Sequence, residues 1–314
     1  MANHQEEGVD QLALPDPLVL TRLSGVDFIT RSIKYRLITS KRRKAMPENF
    51  LSIVLLTGGL VAIMMTSLWA ISAVIKDSSI ADIFWGFGFV IIVFFNELTT
   101  EGSGPRRDLI CLLTALWGCR LTLYIGWRNW GKEDPRYARF RAHIEAQGKN
   151  YQIHSLIHNY WYQGLFMWVI SFVLLLGMST DTPAELGMMA YFGVGLWGLG
   201  MFFESVGDWQ LARFLSNPEN QGKVMDKGLW QYTRHPNYFG EACVWFGFLF
   251  IAAENPNGWT GAISVGAVLY ALLGPTGTNL VERRMSKKRP DFVTYKERTS
   301  GFFPLFPRAT KESR

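Results

Sequence analysis

The sequence predicts an all-α, multi-pass transmembrane bundle of about seven spans. Three observations predict it: long charge-poor apolar runs, a heavy aromatic load, and basic residues gathered between the runs. In water, 314 residues would suggest two domains, but 48% apolar residues laid out in such runs point to the bilayer. Twelve Trp and 22 Phe suit lipid-facing helices and interfacial belts.

The predicted spans are Phe50–Ile75, Ile80–Phe95, Leu109–Trp127, Gly164–Met178, Met188–Phe203, Tyr238–Ala253 and Trp259–Leu280. Several are shorter than the roughly 20 residues an untilted span needs, so they are expected to tilt or to bury against neighbours. Ahead of them, residues 1–49 read as an acidic tail followed by a basic amphipathic segment, Arg22–Lys44, lying on the membrane surface. Met1–Leu20 has no apolar core behind a basic start and is not read as a secretory signal. The bundle is expected over 50–307, with its pocket within 200–300, and 308–314 as a short tail.

Orientation follows from charge. Arg128–Lys149, Arg213–Arg234 and the segment from Arg283 onward are rich in Lys and Arg, whereas Ser179–Gly187 and Glu254–Gly258 are not. The basic segments, and with them the C-terminus, are expected on the cytosolic side of the endoplasmic reticulum or the matrix side of the mitochondrial inner membrane. Arg22–Lys44 then opposes the rule, unless the first segment does not cross. The formal charge of +6 is accounted for by these flanks and by anionic lipid, without nucleic acid. Cys111, Cys119 and Cys243 lie in apolar segments without CxxC spacing, which argues against a disulfide framework or a zinc site.

Chemistry concentrates in the C-terminal half. In the stretch from Gly228 to Glu241, Pro236 biases His235 away from helical angles and suits the first turn of the helix that follows. Arg234 and His235 therefore sit at a helix N-terminus, where free N–H groups and the dipole attract anions. Asn237 and Glu241 share one face of that helix, flanked by Tyr232 and Tyr238. This is a cradle for a phosphate-bearing or carboxylate-bearing cofactor with Arg234 as clamp, or, more plainly, an anchoring Arg and a capping His.

Glu204 and Asp208 repeat at four residues, followed by Arg213; they read as acceptors for ribose hydroxyls or an adenine amine beside a phosphate contact, or as an interfacial ion pair. After the last span come Glu282, Arg283, Arg284 and Tyr295, with Glu282 expected to face the pocket because a helix C-terminus disfavours an acid. Asp82 and Tyr124 are the candidates for catalysis; Asp82 reads either as hydrogen-bond donor to a substrate carbonyl or as a structural partner of Arg120. His154 and His158 are four apart but lack a third ligand, so no metal site is expected. No P-loop or nucleophile elbow is present.

With these residues in place, Ala81–Pro307 resembles the membrane family of unknown function related to the steroid 5-alpha-reductase C-terminal domain. The carriers are Trp127-Arg128-Asn129-Trp130-Gly131-Lys132-Glu133-Asp134-Pro135-Arg136-Tyr137, Gly207-Asp208-Trp209-Gln210, Arg234–Glu241, and Arg289-Pro290-Asp291-Phe292 with Tyr295. The resemblance implies a steroid 5-alpha-reductase-like fold and an NADPH pocket at Glu204 with Asp208, Asn237 with Glu241, and the region of Arg283; Glu204 stands where the reductases carry Asn. Asp82 and Tyr124 are the nearest matches to the residues that polarise the steroid ketone there.

The Arg-His-Pro turn is also similar to isoprenylcysteine carboxyl methyltransferases and phospholipid methyltransferases, which bind S-adenosylmethionine there and carry paired Glu after the last helix. Here Glu282-Arg283 stands instead, and arginine matches phosphate oxygens. The expected function is reduction of a lipidic, sterol-like or enone substrate. Methyl transfer, and a non-catalytic role as a subunit of a membrane assembly, are the alternatives. Expected partners are membrane lipids, a hydrophobic small molecule and, for the last alternative, other membrane subunits.

Overall fold

A computed structural model describes residues 50–100, 104–180, 183–274 and 277–308. The tail, the basic segment Arg22–Lys44 and residues 309–314 lie outside the described residues.

The described chain is helical. Helix α1 (Phe50–Ile75) is apolar all round and packs one face, Thr57, Val61 and Met65, inward. It stops where Lys76 adopts a positive φ of 58° and Asp77 Oδ1 accepts from the Ser79 N–H at 2.8 Å. Helix α2 (Ile80–Thr99) and helix α3 (Pro105–Arg128) approach closely through Gly86 and Gly118. A Cβ on Gly118 would lie 2.5 Å from the Gly86 carbonyl oxygen, so only glycine fits there.

A surface helix α4 (Pro135–Ala146) starts on Asp134, whose carboxylate accepts from the Arg136 N–H. Next, α5 (Tyr151–Ser155), a π-turn over Leu156–Trp161 and α6 (Tyr162–Met178) form one continuous rod. Helix α7 (Met188–Ser216) has 29 residues, about 43 Å, and outruns the hydrocarbon core. Its predicted span stopped at Phe203; the extra turns carry Glu204, Asp208 and Arg213 beyond the apolar run.

Helix α8 (Pro236–Ala252) lies against α7 along a ladder of glycines. Gly200 and Gly240 would each place a Cβ 2.5 and 2.6 Å from the other's carbonyl oxygen, and Gly193 and Gly247 do the same at 2.6 and 2.7 Å. Such backbone contact needs residues without Cβ, and it sets the register of the two helices. Buried Phe89, Trp117 and Trp245 then lock α2, α3 and α8 together, ring centroids 5.1–5.6 Å apart.

The predicted span Trp259–Leu280 is divided. Helix α9 (Ala262–Leu273) ends where the Gly274 N–H closes on Tyr270 O, and α10 (Thr278–Lys288) begins after Gly277. The intervening Gly274-Pro275-Thr276-Gly277 sequence carries the helix-breaking residues that the hydropathy run concealed. A final short helix, α11 (Asp291–Arg298), leads into a segment that pairs Ser300 with Thr233.

Six helical runs among the described residues have the length and apolarity to cross a bilayer: α1, α2, α3, α5 through α6, α7, and Gly258–Lys288. The remaining predicted span, α8, has 17 residues and is largely buried in the bundle. The protein is a multi-pass helical membrane protein. Its three basic segments meet at one end, since Arg136 and Asn237 line one cavity and the Tyr295 hydroxyl donates to Trp230 O at 2.5 Å.

Candidate functional site

At that basic end a cavity of about 360 Å³ opens, its polar wall supplied by five helices. Asp82 and Trp85 enter from α2, Arg120, Tyr124 and Arg128 from α3, and Arg136 from α4. Glu204 and Asp208 come from α7, and Asn237, Tyr238 and Glu241 from α8. The i, i+4 spacing puts each polar pair on the inner face, and the glycine ladder holds the two pairs against each other.

At the cavity's centre Arg120 spans two carboxylates. Its Nη1 donates to Glu204 Oε2 at 2.9 Å and its Nη2 to Asp208 Oδ2 at 2.5 Å. Asn237 Nδ2 donates to Asp208 Oδ1 at 3.2 Å, and Trp245 Nε1 holds Glu241 Oε1 at 2.9 Å. Glu204 and Glu241 are electrostatic neighbours, yet Glu204 Oε1 is buried with no donor among the described residues. Two adjoining carboxyl groups at such burial call for a donor between them, from a shared proton or from a guest.

Asp82 has a different set of partners. It accepts from Arg136 Nη2 at 2.6 Å and from the Tyr137 hydroxyl at 2.8 Å, with Gln163 Nε2 at 3.5 Å. Burial, and then the Asp82 carboxylate beside it, hold the Tyr137 phenol well above its ordinary range, so it remains a donor. Arg120, weighed in the sequence as a partner of Asp82, points to α7 instead. Tyr124 is half-buried, its ring under both Arg120 and Arg128 and its hydroxyl 3.4 Å from Asp208 O.

Other predicted residues lie elsewhere. Arg234 donates through Nε to Glu282 Oε1 at 2.9 Å and through Nη1 to Thr299 O at 2.5 Å and Lys296 O at 3.1 Å. His235 Nε2 reaches the same Glu282 oxygen at 3.1 Å, and Lys296 meets Glu282 Oε2, also at 3.1 Å. This cluster pins α10 and the end of α11 onto the start of α8. Tyr295 is buried against Trp230 and burial pushes its phenol up; Tyr232 packs on Phe306. Arg283 and Arg284 are exposed, and Arg213 faces a separate cavity beside Trp209. His154 and His158 stack, each Nδ1 at a backbone carbonyl four residues earlier.

Three charged cavity residues escaped the sequence assignment of the site: Arg120, Arg128 and Arg136. Arg120 had a legible signal, a guanidinium inside an apolar span, which demands a partner of opposite charge. The other two look like ordinary flanking cations until α4 folds back over the cavity.

Fold and site together define a class: a multi-pass helical membrane protein with a charged, carboxylate-rich cavity at one end. Residues 68–299 match the family described as "Protein of unknown function (DUF1295)", and the chain belongs to it, as the Gly207–Gln210 and Arg234–Glu241 motifs indicated. An uncharacterized protein of Schizosaccharomyces pombe is 25% identical over 272 residues, 76% of this chain and 75% of that one. Bovine (Bos taurus) 3-oxo-5-alpha-steroid 4-dehydrogenase 1 is 32% identical over 78 residues, covering 25% of this chain and 30% of the enzyme. No solved structure matches.

Proposed function

We propose that the protein is a membrane-embedded, NADPH-dependent reductase of a lipidic substrate of the sterol-like or enone class. The observation that carries this reading is the convergence of Glu204, Asp208, Asn237 and Glu241 on one cavity with Arg128 and Arg136. The local likeness to the bovine steroid dehydrogenase supports it.

The residues fit a dinucleotide by their chemistry. Glu204 Oε1 lacks a donor, and a carboxamide or ribose hydroxyl supplies one. Arg128 and Arg136 offer guanidinium donors to phosphate oxygens. NADPH, when bound, supplies a hydride to the β-carbon of an enone. The protein's own task is positioning and electrostatics. Tyr124 is the donor to the substrate carbonyl, because its hydroxyl makes only one long contact. Asp82, engaged as acceptor by Arg136 and Tyr137, acts by holding the Arg136 guanidinium at the cavity rather than by donating a proton. The basic end of the bundle would face the cytosol from the endoplasmic reticulum, or the matrix from the mitochondrial inner membrane.

A second reading is methyl transfer from S-adenosylmethionine, favoured by the adjoining Glu204 and Glu241, which suit a sulfonium cation. One experiment separates the two. The protein purified in detergent is titrated with NADPH and with S-adenosylmethionine, and co-purifying small molecules are identified by mass spectrometry. NADPH binding that Asn237→Ala and Glu241→Gln weaken, with enone-dependent NADPH oxidation, is the expected result. Binding of S-adenosylmethionine alone replaces the proposal with the second reading, and binding of neither removes both, leaving a non-catalytic membrane subunit.

A further inference from the structure

A second cavity, about 670 Å³, lies at the same end of the bundle but on the outer side of α7, among Trp209, Gln210, Arg213, Asn217, Asn220 and Lys227. It is a built feature of the fold. Gln210 Oε1 accepts the Leu229 N–H at 2.9 Å, and Trp230 Nε1 donates to Gly207 O at 3.0 Å, so the 217–231 loop is folded back on α7. Gly228 takes a positive φ of 61° against the Gln210 side chain, where a Cβ would clash. Asn217 and Asn220 are spent on the loop itself, capping Glu219 N and Phe214 O.

Arg213 and Lys227 form no ion pair among the described residues; the guanidinium of Arg213 lies over the Trp209 ring, 5.6 Å from its centroid. An apolar stripe leads to them. Leu199, Phe202 and Trp209 are all exposed and fall at helical spacing along one face of α7, with Arg213 one turn further. In a bilayer that face meets acyl chains, and the cations then sit at headgroup depth.

We infer that this cavity binds the headgroup of an anionic phospholipid, its phosphate held by Arg213 and Lys227 and its chains lying along Leu199, Phe202 and Trp209. The apolar stripe singles out a lipid over a soluble phosphate, because a soluble anion makes no use of it. The site is distinct from the cavity of Glu204 and Asp208, which opens on the inner face of the same helix, so it stands whether or not the protein is a reductase.

The test is native mass spectrometry of the full chain released from detergent loaded with phosphatidylserine or with phosphatidylcholine. Retained phosphatidylserine adducts are expected on the unsubstituted protein, with Arg213→Gln and Lys227→Gln each weakening retention about fivefold, equivalent to about 1 kcal/mol of surface attraction per basic residue. Lys287→Gln with Lys288→Gln, exposed on α10, should leave retention unchanged. Equal loss from that control pair would mean diffuse surface charge and overturn the proposal. So would retention that survives Arg213→Gln with Lys227→Gln, or phosphatidylserine displaced by inorganic phosphate. All four side chains are exposed, and unaltered thermal unfolding identifies the variants as folded.

Discussion

Arg120 of α3 and Asp208 of α7 are joined at 2.5 Å inside the bundle, and the same guanidinium holds Glu204 at 2.9 Å. One cation thus bridges two acidic side chains, with side-chain exposures of 18% for the Arg against 3% and 9% for the acids. Removing it strands charge in a place with little water. Arg120→Met is expected to destabilise the protein by about 3–5 kcal/mol, the range for breaking a buried pair. The triple change Arg120→Met, Glu204→Gln, Asp208→Asn should recover most of that loss, because the two acids that Arg120 bonds are then neutral. Thermal unfolding in detergent checks both; a single variant as stable as the parent would mean that the acids are wet.

The α7–α8 ladder makes a second prediction. Gly200→Ala places a Cβ against Gly240 O and the backbone of Val244, neither of which can turn aside. A loss of about 1–3 kcal/mol is expected from overpacking, together with displaced Glu204 and Asp208 and weaker cofactor binding. Gly195→Ala, on the same helix but facing open space, serves as the neutral control.

Arg234 anchors the C-terminal segment. Arg234→Ala should release residues 296–308, read as faster amide exchange and easier proteolysis there, with about 1.5–3 kcal/mol lost for a charge-assisted contact. Cofactor affinity lost while the segment stays protected would instead assign Arg234 a direct contact with the guest, as its position beside Pro236 first suggested.

Acid sensitivity should appear at α4. Burial acts to raise the Asp134 carboxyl, but hydrogen bonds from the Arg136 side chain and backbone outweigh it and hold the group below its usual range. A depressed carboxylate contributes stability above its unfolded value, about 3.9, and loses it as pH falls through the folded value. Amide exchange over 135–146 should therefore accelerate only below about pH 4, and Asp134→Asn should remove most of that pH dependence.

Much of this was legible in one dimension. Glu204 with Asp208, and Asn237 with Glu241, were paired by spacing alone, since i, i+4 places two side chains on one helical face wherever the helix lies. Pro236 announced the start of α8 for an equally local reason. The membrane bundle itself followed from apolar runs, whose burial in lipid needs no knowledge of neighbours.

What spacing leaves open is which face meets which. Arg234 and His235 sit next to Asn237 in sequence yet turn the other way, toward Glu282, because α10 and α11 fold back there and offer a carboxylate. Arg120 chose α7 over Asp82 because Trp117 of α3 packs on Trp245 of α8 while the Gly200–Gly240 contact holds α7 against α8, and Glu204 and Asp208 come within its reach. Local sequence determined the helices and the polar faces they carry, because hydrophobicity and backbone geometry act over a few residues. Only tertiary packing decided which charges became partners and which became cavity walls, because that depends on side chains meeting at about 3 Å across helices more than eighty residues apart in the chain.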